Sequence, residues 1–212
     1  MKIIKPSVEI MTPMFGVDIQ KHLELCGRVC YKSESSITED SADAFLRNVI
    51  SRGHESVIEH FNITVKFTVD RGVSHEIVRH RLASYSQEST RYCNYSHGKF
   101  GGELTFIRPC FFDEDSEAYK LWLIAMQKIE NYYIGLLNRG ATPQEARSVL
   151  PNSLKTELIM TANLREWRHF LELRTSPAAH PQIREVAIPL ARIMAKDMPA
   201  VFCDIEVEDG LN

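Results

Sequence analysis

Between residues 79 and 92 the chain reads Arg-His-Arg-Leu-Ala-Ser-Tyr-Ser-Gln-Glu-Ser-Thr-Arg-Tyr, three guanidiniums and an imidazole set among hydroxyls in a slightly acidic protein. Arg79, Arg81 and Arg91 each present a planar fork of N–H donors suited to phosphate or carboxylate. Ser84, Ser86, Gln87 and Ser89 supply neutral donors and acceptors between them. The chemistry such a stretch favours is recognition of an anionic ligand. An isolated Arg-His-Arg triplet is usually a solvated basic turn at a helix end, so the surroundings decide. Those surroundings include His54, Ser56, Glu59 and His60 upstream, and Arg147, Asn163-Leu164-Arg165 and Arg174 downstream. Taken singly, the three later arginines could be surface partners of Glu145, Glu166 and Glu172.

Several other chemistries are disfavoured. His75 and His80 resemble a zincin pair, but a spacing of five turns the second ring off the shared helix face, so no metal is expected. Five cysteines without a Cys-x-x-Cys pair argue for reduced thiols, and Cys26 and Cys30 read as packing. No cysteine stands beside an activating base, Cys110 included, so a thiol nucleophile is not expected. Gly101-Gly102 lacks the strand–loop–helix context of a phosphate loop. A net charge of −3 leaves no general nucleic-acid footprint. Asp204, Glu206, Glu208 and Asp209 read as a solvated acidic end. No apolar run approaches the ~20 residues needed to cross a bilayer, and Met1 to Pro6 contains no signal-like apolar core, which predicts a cytoplasmic protein without a membrane partner.

These groups need elements to hold them. Phe61, Ile63, Val65, Phe67 and Val69 alternate with Asn62, Thr64, Lys66 and Thr68, the period of a half-buried strand feeding the basic stretch. Helical spacing from Gly72 to about Ala83 puts Arg-His-Arg at a helix end and the Ser-rich part in the loop that follows. Upstream helices cover Asp18–Tyr31 and Asp40–Arg52, the second capped by Thr38 or Asp40 and stopped by Gly53. Glu103 to Arg108 reads as a short strand, and a long helix runs from about Asp113 to Asn138, with Gly140 as its stop. Thr142-Pro143-Gln144-Glu145 is a capping box opening a helix that contains Arg147. Leu154–Thr161 fits strand or helix. Asn163 with Glu166 opens a helix to about Arg174, and Pro181 opens another ending near Asp197. With 44% hydrophobic residues and no linker or repeat, 212 residues make one α+β domain, 1–212.

Taken in order, these segments resemble the flavin-dependent thymidylate synthases, whose signature is Arg-His-Arg, seven residues, then Ser. Here it is Arg79-His80-Arg81, Leu82 to Glu88, and Ser89. The resemblance runs from Gly53-His54 to Pro199-Ala200-Val201-Phe202. It implies an α+β domain with a mostly antiparallel sheet flanked by helices, assembled as a homotetramer with active sites shared between subunits. It also implies reductive methylation of dUMP to dTMP, with 5,10-methylenetetrahydrofolate as carbon donor, FAD as cofactor and NADPH as reductant. By position, His54, Ser56, Glu59, Arg79, His80, Arg81, Leu82, Gln87, Asn163, Leu164, Arg165 and His169 match cofactor-side residues. Glu76, Ile77, Val78, Arg79, Gln87, Glu88, Ser89, Thr90, Arg91, Arg147 and Arg174 match the dUMP side. Arg174 matches the residue thought to polarise the uracil ring.

The residue types suit that chemistry. Uracil C5 becomes nucleophilic when charge can build on N3 and O4, where a guanidinium stabilises it without giving up a proton. Arg91, Arg147 and Ser89 suit a phosphate dianion, and Arg79, His80 and Arg81 a flavin and its pyrophosphate. Ser89 has no evident base partner and reads as a binding group. Some family members have Gln at the Glu76 place, Asn at the His169 place, and His where this chain has Ala178, the nearest histidine being His180. Two alternatives stay open: a nucleotide- or RNA-binding module using the same arginines with Tyr85, Tyr92 or Tyr95 for stacking, and a flavoprotein reductase without methyl transfer. A yellow protein excludes the first, and dUMP binding excludes the second.

Overall fold

The computed structural model describes residues 1–13, 16–96, 101–205 and 207. Glu206, Glu208 and Asp209 of the acidic end lie outside them. The alternation read at Phe61–Val69 forms a strand over Asn62–Asp70 (β3), with Ile63, Val65, Phe67 and Val69 fully buried. Each such side chain contributes about 1.5–3 kcal/mol of burial. The ambiguous segment is also a strand, Lys155–Asn163 (β6), pairing antiparallel with all of β3 from Asn62↔Asn163 to Asp70↔Lys155. Short N-terminal strands, Lys2–Ile4 (β1) and Ser7–Ile10 (β2), flank this core. Strand β2 pairs antiparallel with β3, and β1 pairs parallel with Thr105–Ile107 (β5).

The Ser-rich stretch differs from the expected loop. Ala83–Gln87 is a strand (β4) on the far edge of β6, so the four-stranded sheet runs β2-β3-β6-β4 and is antiparallel throughout. The preceding helix is correspondingly shorter, Arg71–Ile77 (α3). It stops because Val78, Arg79 and His80 donate their N–H groups into a tightening turn, while the Tyr85 hydroxyl lies 2.5 Å from the His80 carbonyl, to which it donates, and 3.0 Å from that of Ile77. Arg-His-Arg therefore occupies the turn between α3 and β4.

Helices Gly16–Arg28 (α1) and Ser41–Ser51 (α2) match the reading, and Gly53, at φ 74°, ends the second. Asp40 holds the cap position without a side-chain cap bond; Ser41 Oγ instead accepts the Thr38 N–H at 2.9 Å. A Cβ on Gly27 would meet the Phe45 ring at 2.6 Å, so α1 and α2 approach closely only with glycine there. Glu117–Leu137 (α4) is capped by Ser116, and Gly140 follows at φ 92°. The capping box at Thr142 is present, but its helix covers only Pro143–Ala146 (α5), and Arg147 begins the tight 3-10 turn after it.

Leu164–Thr175 (α6) and Pro181–Asp197 (α7) cover the inner face of the sheet, and Pro199–Phe202 (α8) closes the end. Phe67 meets Trp167 and Phe170 at ring distances of 6.3 and 5.9 Å. A second apolar cluster of Tyr95, Leu104, Phe106, Met126, Tyr133, Ala146 and Leu154 seats α4 and β5. Asp204 is not a solvated acid, since the buried Arg168 guanidinium grips both its oxygens at 2.6 and 2.7 Å. No described helix is long and apolar enough to cross a membrane.

Candidate active site

Helix α6 begins where β6 ends because Asn163 Oδ1 accepts the Glu166 N–H at 2.9 Å. In a full capping box the Glu166 carboxylate would reach back to the cap. Here it reaches sideways to His80 Nδ1, at 3.2 Å. Residues 166, 170 and 174 recur every four positions and so share one face of α6. His80 sits on that face, its ring 4.9 Å from the Phe170 ring and 5.6 Å from that of His169. Arg174, from the last turn, donates Nε–H to His80 Nε2 at 3.1 Å. Its two terminal nitrogens donate to the Glu76 carboxylate and to the Glu76 carbonyl, each at 3.1 Å. Three of the five guanidinium N–H groups are thus fixed, leaving one on each terminal nitrogen.

His80 is only 4% exposed. Burial, then the charge of Arg174 and that of His169, pull its imidazole from 6.5 down to about 4, so it is neutral at pH 7. Burial acts oppositely on Glu166, raising its carboxyl above the ordinary value while the nearby His169 lowers it. Several of the cofactor-side candidates, Glu59, Leu82, Asn163, Arg165 and His169, gather beside this group. Glu55, Glu59, Leu82, Asn163, Arg165, Glu166, Arg168, His169 and Glu172 line an open cleft of about 820 Å³. His54 and Ser56 lie exposed at the start of the Glu55–His60 turn, beside it in sequence. Arg165 is held by Glu59 at 2.7 Å and Glu55 at 3.5 Å rather than by Glu166. Arg79 and Arg81 are exposed, and neither pairs with a carboxylate among the described residues. Leu164 and Ile77 are fully buried, so their side chains belong to the core and only their backbone can meet a ligand.

The loop after β4 forms a separate group. Arg147 Nη1 reaches the buried Thr90 hydroxyl at 3.5 Å, and Arg91 lies over the Tyr92 ring at 5.5 Å. Neither arginine has a carboxylate partner among the described residues, and Glu145, the expected partner of Arg147, is spent on the Thr142 cap. Gln87 donates to Ser74 Oγ at 2.9 Å. Glu88 is committed, accepting from Tyr95 at 2.6 Å and Lys155 at 2.8 Å, which leaves its backbone for a ligand. From Ala83 to Gln87 is four strand steps, about 13 Å at ~3.3 Å each, the length of β4 that lies between the two segments along the chain, while the Gln87–Ser74 bond ties its far end back to α3. His180, in place of a histidine at Ala178, caps α7 by accepting the Gln182 N–H at 3.3 Å.

Sequence reasoning missed Glu166 as a site residue. The signal was its spacing, eight residues before Arg174 on the helix that opens beside Arg165.

The family described as thymidylate synthase complementing protein matches residues 16–200, and the chain belongs to it, as an enzyme. Within it the chain is a member of the flavin-dependent thymidylate synthases. The enzyme of that name from Corynebacterium glutamicum is 33% identical over 204 residues, covering 88% of this chain and 79% of its own. That from Mycobacterium tuberculosis is 36% identical over 197 residues (87% and 79%), and that from Pyrococcus furiosus 38% over 168 residues (78% and 67%). The crystal structure of the UMP/dUMP methylase PolB from Streptomyces cacaoi, bound with 5-Br dUMP, superposes with a TM-score of 0.78. At 24% identity and 95% coverage of both chains, it shows the fold.

Proposed function

We propose that the protein is a cytoplasmic, single-domain subunit of a homotetramer that converts dUMP to dTMP, using 5,10-methylenetetrahydrofolate, FAD and NADPH. The observation that carries the reading is the fixed Arg174 guanidinium, held on three sides beside the signature histidine with two N–H groups to spare. FAD, reduced by NADPH, supplies the hydride when bound. The residues present suit it: Arg79 and Arg81 are exposed cations without carboxylate partners among the described residues, next to the 74%-exposed Leu82 and the cleft lined by Asn163 and His169. The acids of that cleft are largely matched, Glu55 and Glu59 by Arg165, and Glu172 by Arg168.

In this reading Arg174 stabilises negative charge on uracil N3 and O4 as C5 attacks the one-carbon unit. It does so without moving a proton, since its guanidinium stays charged. Arg91, Arg147, Ser89 and the loop amides hold the phosphate. In this reading no cysteine takes part; burial and the neighbouring Glu185 push Cys110 up to about 12, too high for a ready nucleophile. In this reading each dUMP draws the Arg174 group and the phosphate loop from different copies. Leu121, Ile124 and Tyr132, exposed on the outside of α4, offer apolar surface for that assembly.

Tritium release from dUMP labelled at C5, with the folate and NADPH, tests the reaction. A protein that takes up FAD and is bleached by NADPH yet releases no tritium would leave only a reductase.

A further inference from the structure

The contacts of His80 fix more than its position. Arginine cannot accept a hydrogen bond, so the 3.1 Å contact from Arg174 Nε requires a lone pair on His80 Nε2. A neutral imidazole with that lone pair carries its proton on Nδ1, where Glu166 Oε1 waits at 3.2 Å. The three groups form one chain of hydrogen bonds, Arg174 to His80 to Glu166, running from a group that can only donate to a carboxylate that accepts. Both inner members are sequestered from water, Glu166 being 7% and His80 4% exposed, so no solvent molecule freely replaces either partner. With the proton on Nε2 instead, two N–H groups would confront each other and Arg174 would lose one of its three anchors.

We propose that Glu166 is a positioning residue for Arg174: by accepting the Nδ1–H of His80 it selects the imidazole tautomer whose Nε2 holds the Arg174 guanidinium in its working orientation. The inference rests on the role proposed above for Arg174, but its first test does not. In this role Glu166 acts through His80, its one side-chain hydrogen-bond partner among the described residues. Its place is dictated by the helix: two turns separate residue 166 from residue 174, and the imidazole fills the gap between them. The second carboxylate oxygen of Glu166 has no hydrogen-bond partner among the described residues, so a glutamine there can turn its oxygen toward His80.

The test begins with the unaltered, ligand-free protein labelled with 15N-histidine, the His80 signals being assigned by their loss in His80→Asn. Long-range 1H–15N correlation at pH 7 is expected to show His80 neutral with its proton on Nδ1. A proton on Nε2, or an imidazolium, overturns the proposal. Glu166→Gln is expected to keep that tautomer and most of the turnover. Glu166→Leu is expected to lose the tautomer and about 10²-fold in kcat, the scale of a ~1 Å misplacement, with a smaller change in the KM for dUMP. Wild-type kcat in Glu166→Leu overturns the proposal. So does a Glu166→Gln enzyme that keeps the tautomer but loses turnover as Glu166→Leu does, since charge rather than positioning would then be at work. Should Glu166→Leu fail to fold, the wild-type spectrum and Glu166→Gln still decide. A wild-type protein showing the expected tautomer but making no dTMP would refute the reaction while leaving the Glu166–His80–Arg174 chain standing.

Discussion

The two ends of β4 treat arginine in opposite ways. Before the strand, Arg174 is anchored to His80 and Glu76, with three N–H groups committed before any ligand arrives. After it, Arg91 and Arg147 stand exposed, with one 3.5 Å contact to Thr90 and one tyrosine ring between them. A group that meets charge appearing only during reaction must be oriented in advance, because reorganising it would raise the barrier. Groups that meet a charge already present on the substrate can be ordered by binding itself. On the proposed function the contrast separates a rate-setting end from an affinity-setting end, and it can be broken at either.

The largest effect is expected from Arg174→Lys, which keeps the charge but loses the planar fork: dTMP formation should drop by about 10²–10³ while flavin absorbance on FAD addition is unchanged. Wild-type activity would abolish the contrast. Next comes the acid sensitivity of the anchored end. Folded His80 titrates near 4 and unfolded histidine near 6.5, so the unfolded chain binds more protons in between. Stability is therefore full above pH 6.5 and falls as the pH drops toward 4, by roughly 3 kcal/mol from this residue. Glu166, shifted the other way, offsets part of the loss. Denaturant melts across that range should show a shallower acid limb in His80→Gln, and parallel curves would remove His80 from the account.

At the exposed end, Arg91→Ala and Arg147→Ala should each weaken dUMP binding about ten- to a hundredfold, the value of a charge-assisted hydrogen bond, with little change in kcat at saturation. Mixing Arg174→Lys protein with the Arg91→Ala/Arg147→Ala double variant at low dUMP should restore turnover, since hybrid oligomers can hold one intact copy of each end in a shared site. No recovery after subunit exchange would place both ends in one chain. The smallest effect belongs to Ser89→Ala, about two- to tenfold in dUMP affinity. A variant that binds dUMP fully but makes no product would instead make Ser89 a nucleophile.

What could be read from the sequence was what neighbouring residues encode. β3 showed in strict apolar alternation, α6 and α7 in their openings, α2 and α4 in their glycine stops. β4 stayed hidden because it alternates Ala, Tyr and Gln with Ser, a pattern of small and polar groups without apolar amplitude. β6 stayed ambiguous because its pairing partners lie far back in the chain. The same limit applied to the site: Arg174, His80 and Glu76 could be named from their resemblance, but not that they touch. Glu166 looked like a capping residue because its local sequence is one; only the fold redirects its carboxylate to a histidine 86 positions earlier. Asp204 looked solvated for the same reason, Arg168 being 36 positions away.

The pairing of β3 with β6 also sets a timetable. Asn62 meets Asn163 and Asp70 meets Lys155 only after most of the intervening chain has been gathered into a closed loop. Closure entropy grows with loop length, and topologies dominated by such distant partners fold in milliseconds to seconds. During synthesis, His80 leaves the ribosome long before α6 exists to receive it. The arginine cage is thus among the last things the nascent chain can assemble, and a fragment released before residue 164 contains the signature motif without the helix that receives its histidine.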